Sequence, residues 1–300
     1  MSVVAVIDCG TNSVRLLVAR AGDGPLDAVV RDAVVTRLGA GTDASGRLDD
    51  KAIERTVDAV ARYISRARDA GAEAIRVVAT SAARDAANTD DFVAAVRRRT
   101  GLVPEVLSGA AEAGLAFAGA LRGVDPPRPV LVVDVGGGST EFILGTQAPT
   151  AFTSRQIGCV RLTEQALASD PPLAAEVERA RAVIKAELDA VAADVDVSAA
   201  RGLVGVAGTA TTLAALHLRL PSYDARAIHG TVVPADGITW QVEQLCTMSS
   251  RRIRERGPVA PGREDVLLAG ALVLEQTMAA FGFDRLIVSE ADLLDGALPA

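Results

Sequence analysis

Two acids bracket a run of glycines and hydroxyls in Asp134-Val-Gly-Gly-Gly-Ser-Thr-Glu141. Glycines leave backbone N–H groups open to a close-lying anion, and Ser139 and Thr140 add hydroxyl donors. An acid ending the preceding strand can hold Mg²⁺ or a water beside that anion. The chemistry this spacing suits is a phosphate clamp, with a metal between phosphates and carboxylates. A second run, Asp8-Cys-Gly-Thr-Asn-Ser13, has the same plan. A third, Gly205-Val-Ala-Gly-Thr-Ala-Thr211, stands between a strand and a helix, so Gly208 and Thr209 offer amides at a helix N-terminus, a natural anion site.

The elements that must position these runs follow from periodicity. Val3 to Asp8 is a short apolar, β-branched stretch and reads as a buried strand; residues 14–19 return as a second strand, and a third fits 29–38. Asp49 or Asp50 caps a helix to about Ala70, with Ile53, Val57, Val60 and Ile64 on one face and Gly71 at its stop. Strand 74–79, helix 89–100, strand 103–107 and helix 110–121 come next. Val130 to Asp134 then repeats the opening pattern, with Glu141 to Leu144 as its return strand. A strand near 150–157 follows. Helices near 160–168 and 172–194, strand 202–207, helices 209–218, 238–248 and 263–281, strand 285–289 and a last helix from about Asp292 complete the chain. The stiff segment Gly123-Val-Asp-Pro-Pro-Arg-Pro129 separates the halves. The expected fold class is α/β, with domains at about 1–123 and 124–300 facing each other across a cleft.

Composition narrows the chemistry. The chain has 300 residues, enough for about two domains. His217 and His229 are its two histidines, too few for a three-histidine zinc site and too far apart for an HExxH helix. Chemistry must rest mainly on carboxylates, hydroxyls, arginines and backbone amides, with or without a bound metal. Three distant cysteines and no CxxC suit a reducing compartment, so a cytoplasmic location is expected. The longest uncharged run, residues 202–218, is shorter than the roughly 20 apolar residues of a membrane helix. A net charge of −7 argues against nucleic acid or an anionic membrane as partner, while leaving room for a small anion in a locally basic site.

Six segments taken in order resemble one family. They are Asp8 to Ser13, Thr80-Ser-Ala-Ala-Arg84, Ser108-Gly-Ala-Ala-Glu112, Asp134 to Glu141, Gly158-Cys-Val-Arg-Leu-Thr-Glu164 and Gly205-Val-Ala-Gly-Thr209. Together they resemble the Ppx/GppA family of exopolyphosphatases and guanosine pentaphosphate phosphatases, in a short two-domain form. The resemblance implies two actin-like (ribonuclease H-like) domains of the actin and sugar-kinase superfamily. It makes Glu112 the catalytic base that activates water, with Arg84 neutralising charge on the transferred phosphoryl and Glu141 orienting the water. It assigns Asn12, Ser13, Gly137, Gly138, Ser139, Gly208 and Thr209 to phosphate oxygens. Asp134, Glu141 and Asp8 are the expected metal ligands, for Mg²⁺ or alternatively Mn²⁺. The partners implied are inorganic polyphosphate, (p)ppGpp as substrate or inhibitor, and a second copy in a homodimer.

The leading expectation is hydrolysis of terminal orthophosphate from polyphosphate, with pppGpp hydrolysis as the nearest rival. A kinase-like ATP enzyme and a non-catalytic polyphosphate or alarmone sensor are the others. Cys9 is given no nucleophilic role, His229 a structural one, and Arg161 with Glu164 a structural ion pair. Arg251, Arg252, Arg254 and Arg256 read as a solvated helix face, or as guides for a polyanion. One departure is Ser289-Glu-Ala-Asp-Leu-Leu-Asp-Gly296, where the family commonly has Ser-Asp-x-Gly-Leu-Arg-Glu-Gly, so the arginine is missing.

Overall fold

The computed structural model describes residues 2–20 and 27–298. The chain forms two compact units, Met1–Gly119 with Leu293–Ala300, and Ala120–Asp292. Met1 and residues 299–300, the outer ends of the two expected domains, lie outside the described residues.

The first unit is built on β1 (Val3–Cys9), β2 (Ser13–Arg20), β3 (Asp27–Val35), β4 (Ala74–Ala79) and β5 (Glu105–Val106). Their order is β3-β2-β1-β4-β5; β1, β2 and β3 pair antiparallel, and β4 and β5 join parallel. The helices are α1 (Thr42–Ser45), α2 (Asp50–Asp69), α3 (Ser81–Asp85), α4 (Thr89–Thr100) and α5 (Gly109–Ala120). Asp49 caps α2, its carboxylate accepting from the Ala52 N–H at 3.0 Å. The helix buries Ile53, Val57, Val60 and Ile64, each contributing roughly 1.5–3 kcal/mol of hydrophobic stabilisation.

The second unit carries β6 (Val130–Val135), β7 (Thr140–Gly145), β8 (Pro149–Arg155), β9 (Gly202–Val206), β10 (Val232–Pro234) and β11 (Arg285–Val288). Its order, β8-β7-β6-β9-β11-β10, repeats the first sheet with one antiparallel strand added. The helices are α6 (Cys159–Ala166), α7 (Ala174–Asp194), α8 (Ala207–His217), α9 (Ala225–Ile228), α10 (Ala235–Cys246), α11 (Ser250–Arg254) and α12 (Leu267–Phe281). Helix α12 is apolar nearly all round and is buried accordingly.

The last helix, α13 (Leu293–Gly296), lies in the first unit against β1 and β2. Buried Asp295 holds it there, accepting from Arg31 Nη2 of β3 at 2.6 and 2.8 Å. The departure from the family motif thus keeps an acid that pairs with an arginine of the sheet.

Several boundaries differ from the sequence reading. Helix α8 starts at Ala207, which takes φ +63°, so the turn out of β9 is tighter than a strand to 207 allows. Helix α12 starts at Leu267, and Arg263 stands in the preceding turn. The arginine-rich helix ends at Arg254, leaving Arg256 outside it. Short α3, α9 and β10 were not anticipated; elements this brief carry too little periodicity to register. Among the described residues, no helix is long and apolar enough to cross a membrane.

Candidate active site

In the first unit the chemistry gathers at the carboxyl ends of the parallel strands, where open α/β sheets place their ligands. The β1–β2 tip is closed by the Gly10 N–H donating to Ser13 C=O at 3.0 Å. Thr36 and Arg37 N–H groups both donate to Asn12 C=O, at 3.0 and 2.8 Å, and hold the tip from the far side. Thr11 and Ser81 hydroxyls bond at 2.9 Å, tying the tip to the start of α3. That short helix carries Arg84. Its Nη1 donates to Glu112 Oε2 at 2.6 Å and to Leu107 C=O at 3.1 Å. Ser108 caps α5 through the Ala111 N–H, which sets Glu112 in the first turn. The two residues assigned base and arginine are therefore brought together, with the Glu112 side chain 17% exposed.

Asp8 has a partner that the sequence reading did not assign. It stands directly opposite Arg15 in the β1–β2 register. Arg15 Nε and Nη2 donate to its Oδ2 at 3.0 and 2.7 Å. The Cys9 thiol beside it is fully buried; burial and the Asp8 charge push its pKa far up, so it stays protonated. No thiolate is available there for nucleophilic attack.

In the second unit Asp134 stands directly opposite Glu141. Paired antiparallel residues share one face of the sheet, with Cβ atoms about 5 Å apart. Glu141 Oε1 accepts from Ser139 Oγ at 2.6 Å and from Ser154 Oγ at 2.8 Å. The glycine tip is bound to α6: Gly136 C=O accepts from Cys159 N–H, and Gly137 C=O from Val160 and Arg161 N–H. Arg161 Nε donates to Gly138 C=O at 2.9 Å, so this arginine braces the tip. Gly158 permits the approach, since a Cβ there would lie 2.4 Å from the carbonyl carbons of Gly137 and Gly138.

The third loop adjoins this tip, because Asp134 pairs with Val206 across β6 and β9. Ala207 in the left-handed region turns the chain sharply into α8. The Thr209 side chain is buried against Gly270 of α12, so toward an anion this residue offers its backbone N–H. Arg263, which the sequence reading passed over, lies on Gly208; a Cβ on that glycine would fall 1.0 Å from its Nη1. His229 accepts at Nδ1 from the Glu290 N–H at 3.2 Å, a bond that supports a structural role.

Among the described residues, no group of three or more His, Cys, Asp or Glu side chains is arranged to hold a metal. The Asp134–Glu141 pair still suits Mg²⁺, which binds through one or two carboxylates and fills its octahedron with water and substrate phosphates.

Comparison with known proteins decides the family. The Ppx/GppA phosphatase family model matches residues 17–299. The chain belongs to the Ppx/GppA phosphatase family. A relative from Mycobacterium tuberculosis, Exopolyphosphatase 2, is 43% identical over 307 residues, covering 98% of this chain and 96% of that one. The crystal structure of the Aquifex aeolicus Ppx/GppA family member is 34% identical with a TM-score of 0.84, covering 98% of this chain and 95% of that one. An exopolyphosphatase structure from Cytophaga hutchinsonii, 23% identical with a TM-score of 0.87 over 98% and 96% of the chains, shares the fold. In this Ppx/GppA chain, the two tips, the Arg84–Glu112 pair and the Asp134–Glu141 pair are the candidate site groups.

Proposed function

We infer that this chain is an exopolyphosphatase that releases terminal orthophosphate from inorganic polyphosphate. The observation that carries the reading is the Arg84–Glu112 pair, which fixes a carboxylate 2.6 Å from a guanidinium of the kind that binds phosphate. The 43% identity to a protein named Exopolyphosphatase 2 supports it. Water attacks the terminal phosphorus, its proton passes to Glu112, and the bridging P–O bond breaks. The shortened chain leaves as an anion, and orthophosphate is released. Arg84 offsets charge on the equatorial oxygens as they separate from the chain. Backbone amides of Gly137, Gly138, Gly208 and Thr209 hold phosphate oxygens, helped by Asn12, Ser13 and Ser139. Asp134 and Glu141 would hold Mg²⁺, which would neutralise phosphate charge when bound.

Phosphate release from short polyphosphate, long polyphosphate and pppGpp tests the substrate. Turnover of polyphosphate is expected, and turnover of pppGpp alone would replace this reading with the nucleotide one. The Glu112→Gln variant is expected to lose at least ~10²-fold in kcat. It should retain polyphosphate binding by equilibrium dialysis, because the lost group acts on the water. An unchanged rate would remove Glu112 from the role of base.

A further inference from the structure

The second unit holds a cavity of about 850 Å³ that the phosphatase chemistry does not use. It lies at the carboxyl end of α8, lined by His217 and Arg219 there, by Asp236, Trp240 and Gln241 of α10, and by Arg256. Helix α8 has 11 residues, so this end is about 15 Å from Gly208. The volume is that of a small-molecule site.

Its lining combines four features. Trp240 is 51% exposed and offers a broad aromatic surface. The Arg256 guanidinium stacks on that ring, 5.0 Å from its centre. Among the described residues, no carboxylate pairs with Arg256, and burial lowers its pKa, so it is a partly desolvated cation without a counter-ion. Gln241 is 2% exposed, and among the described residues neither its amide nitrogen nor its amide oxygen has a hydrogen-bond partner. Buried amides without partners are rare, because each leaves a desolvated donor and acceptor unmet. Arg219 adds positive charge from a left-handed backbone position, φ +53°, that ordinarily goes to glycine.

We propose that this cavity binds a nucleoside phosphate, with the base against Trp240 and the Gln241 amide, and the phosphates on Arg256 and Arg219. A heterocycle edge presents a donor beside an acceptor, which is what an amide pairs with. Aromatic faces stack on bases, and guanidinium groups bind phosphate bidentately. The Asp236 carboxylate, which accepts from the Gly237 N–H, lies where a ribose hydroxyl or a base amine can donate to it. An inorganic phosphate chain would use the arginines and leave the ring and the amide idle.

Trp240 is the single tryptophan of the chain, so its fluorescence reports on this cavity. The full chain is titrated with ATP, GTP and UTP, and with tripolyphosphate as an anion lacking a base, using free tryptophan amide to correct for absorption. A saturable change is expected with at least one nucleotide, and none with tripolyphosphate at the same concentrations. Arg256→Ala and Gln241→Met should each weaken the apparent affinity at least ~10-fold, as expected for losing a charge-assisted or paired hydrogen bond in a desolvated site. Circular dichroism confirms that each variant is folded, and Gln241→Met preserves side-chain volume. No saturable response to any nucleotide overturns the proposal. An equal response to tripolyphosphate also overturns it, as does a response undiminished in either variant. None of these outcomes bears on polyphosphate hydrolysis, which uses other residues.

Discussion

The two hairpin tips share a backbone plan and differ in one charge. In each, the penultimate residue of the first strand is an aspartate, Asp8 in β1 and Asp134 in β6. Opposite Asp8 stands Arg15; opposite Asp134 stands Glu141. The first tip neutralises its acid within the hairpin. The second places two carboxylates side by side, an arrangement that repels unless a cation lies between them. A repeated scaffold therefore faces one acid with an arginine and the other with a second carboxylate, the pair proposed above to hold Mg²⁺. The two acids look equivalent along the chain, and only the partner across the strand separates their roles.

The largest test turns the second tip into the first. Glu141→Arg would give Asp134 the partner that Asp8 has. The unit should stay folded by circular dichroism, while phosphate release falls at least ~10²-fold, because the carboxylate pair proposed to hold Mg²⁺ is lost. Glu141→Gln removes the charge but keeps an oxygen that can accept from Ser139 and Ser154. That variant should need more Mg²⁺ for half-maximal rate. A Glu141→Arg enzyme with unaltered rate and metal dependence would end the contrast.

Asp8→Asn is the reciprocal test and should act on stability. Asp8 is 2% exposed and the Arg15 side chain 23%. Removing the charge takes from a largely buried arginine the carboxylate it donates to, at a cost of about 2–3 kcal/mol. Urea unfolding measures this. Were Asp8→Asn to keep its stability and instead lose its Mg²⁺ dependence, Asp8 would belong with the metal ligands and the tips would be alike.

The two tips also show what a sequence can reveal. Glycines, hydroxyls and acids within eight residues are a local signal, so both tips and the third loop were legible, as was the repeated strand order. Arg84 and Glu112 were assigned roles only by resemblance, and their pairing across 28 residues was not legible. Arg263 was not legible at all: it reaches Gly208 from 55 positions along the chain, and nothing around Pro261-Gly262-Arg263 marks it. Gly158 was visible within a family segment, but its packing role was not, because its small size matters only once α6 meets the Gly137–Gly138 backbone. The charge across each strand was visible as residue type, but its consequence depends on register, which aligns Asp8 with Arg15 and Asp134 with Glu141.

A glycine supports each tip, with a difference that sharpens the comparison. A Cβ on Gly158 would strike backbone carbons of the second tip at 2.4 Å. A Cβ on Gly39 would strike the Thr11 Cγ2 methyl of the first tip, also at 2.4 Å. Backbone cannot rotate away, whereas a methyl can be deleted. Gly158→Ala should displace the phosphate amides and lower kcat/KM by ~10-fold or more, as a small misplacement of binding groups does. Gly39→Ala should cost about 1–2 kcal/mol of stability through overpacking. Adding Thr11→Ser to it removes the offending methyl, keeps the hydroxyl toward Ser81, and should restore most of the loss. Failure of that rescue would show that the first tip too is limited by its backbone.

The smallest effect concerns the cysteine beside each tip. Burial raises the thiol pKa of both, aided at Cys9 by the Asp8 charge and opposed at Cys159 by Arg263. A raised pKa means that the thiolate, the form that alkylates, is scarce below it. An exposed thiol gains roughly tenfold in thiolate for each pH unit up to its pKa near 8.5. Cys9, protonated throughout and fully buried, should take no iodoacetamide between pH 7 and 9. Cys159 is partly exposed and should label slowly, at a rate that rises with pH. Mass spectrometry of native protein separates the two. Labelling of Cys9 at the rate of a free thiol would mean that the first tip opens to solvent, contrary to the sealed ion pair that distinguishes it from the second.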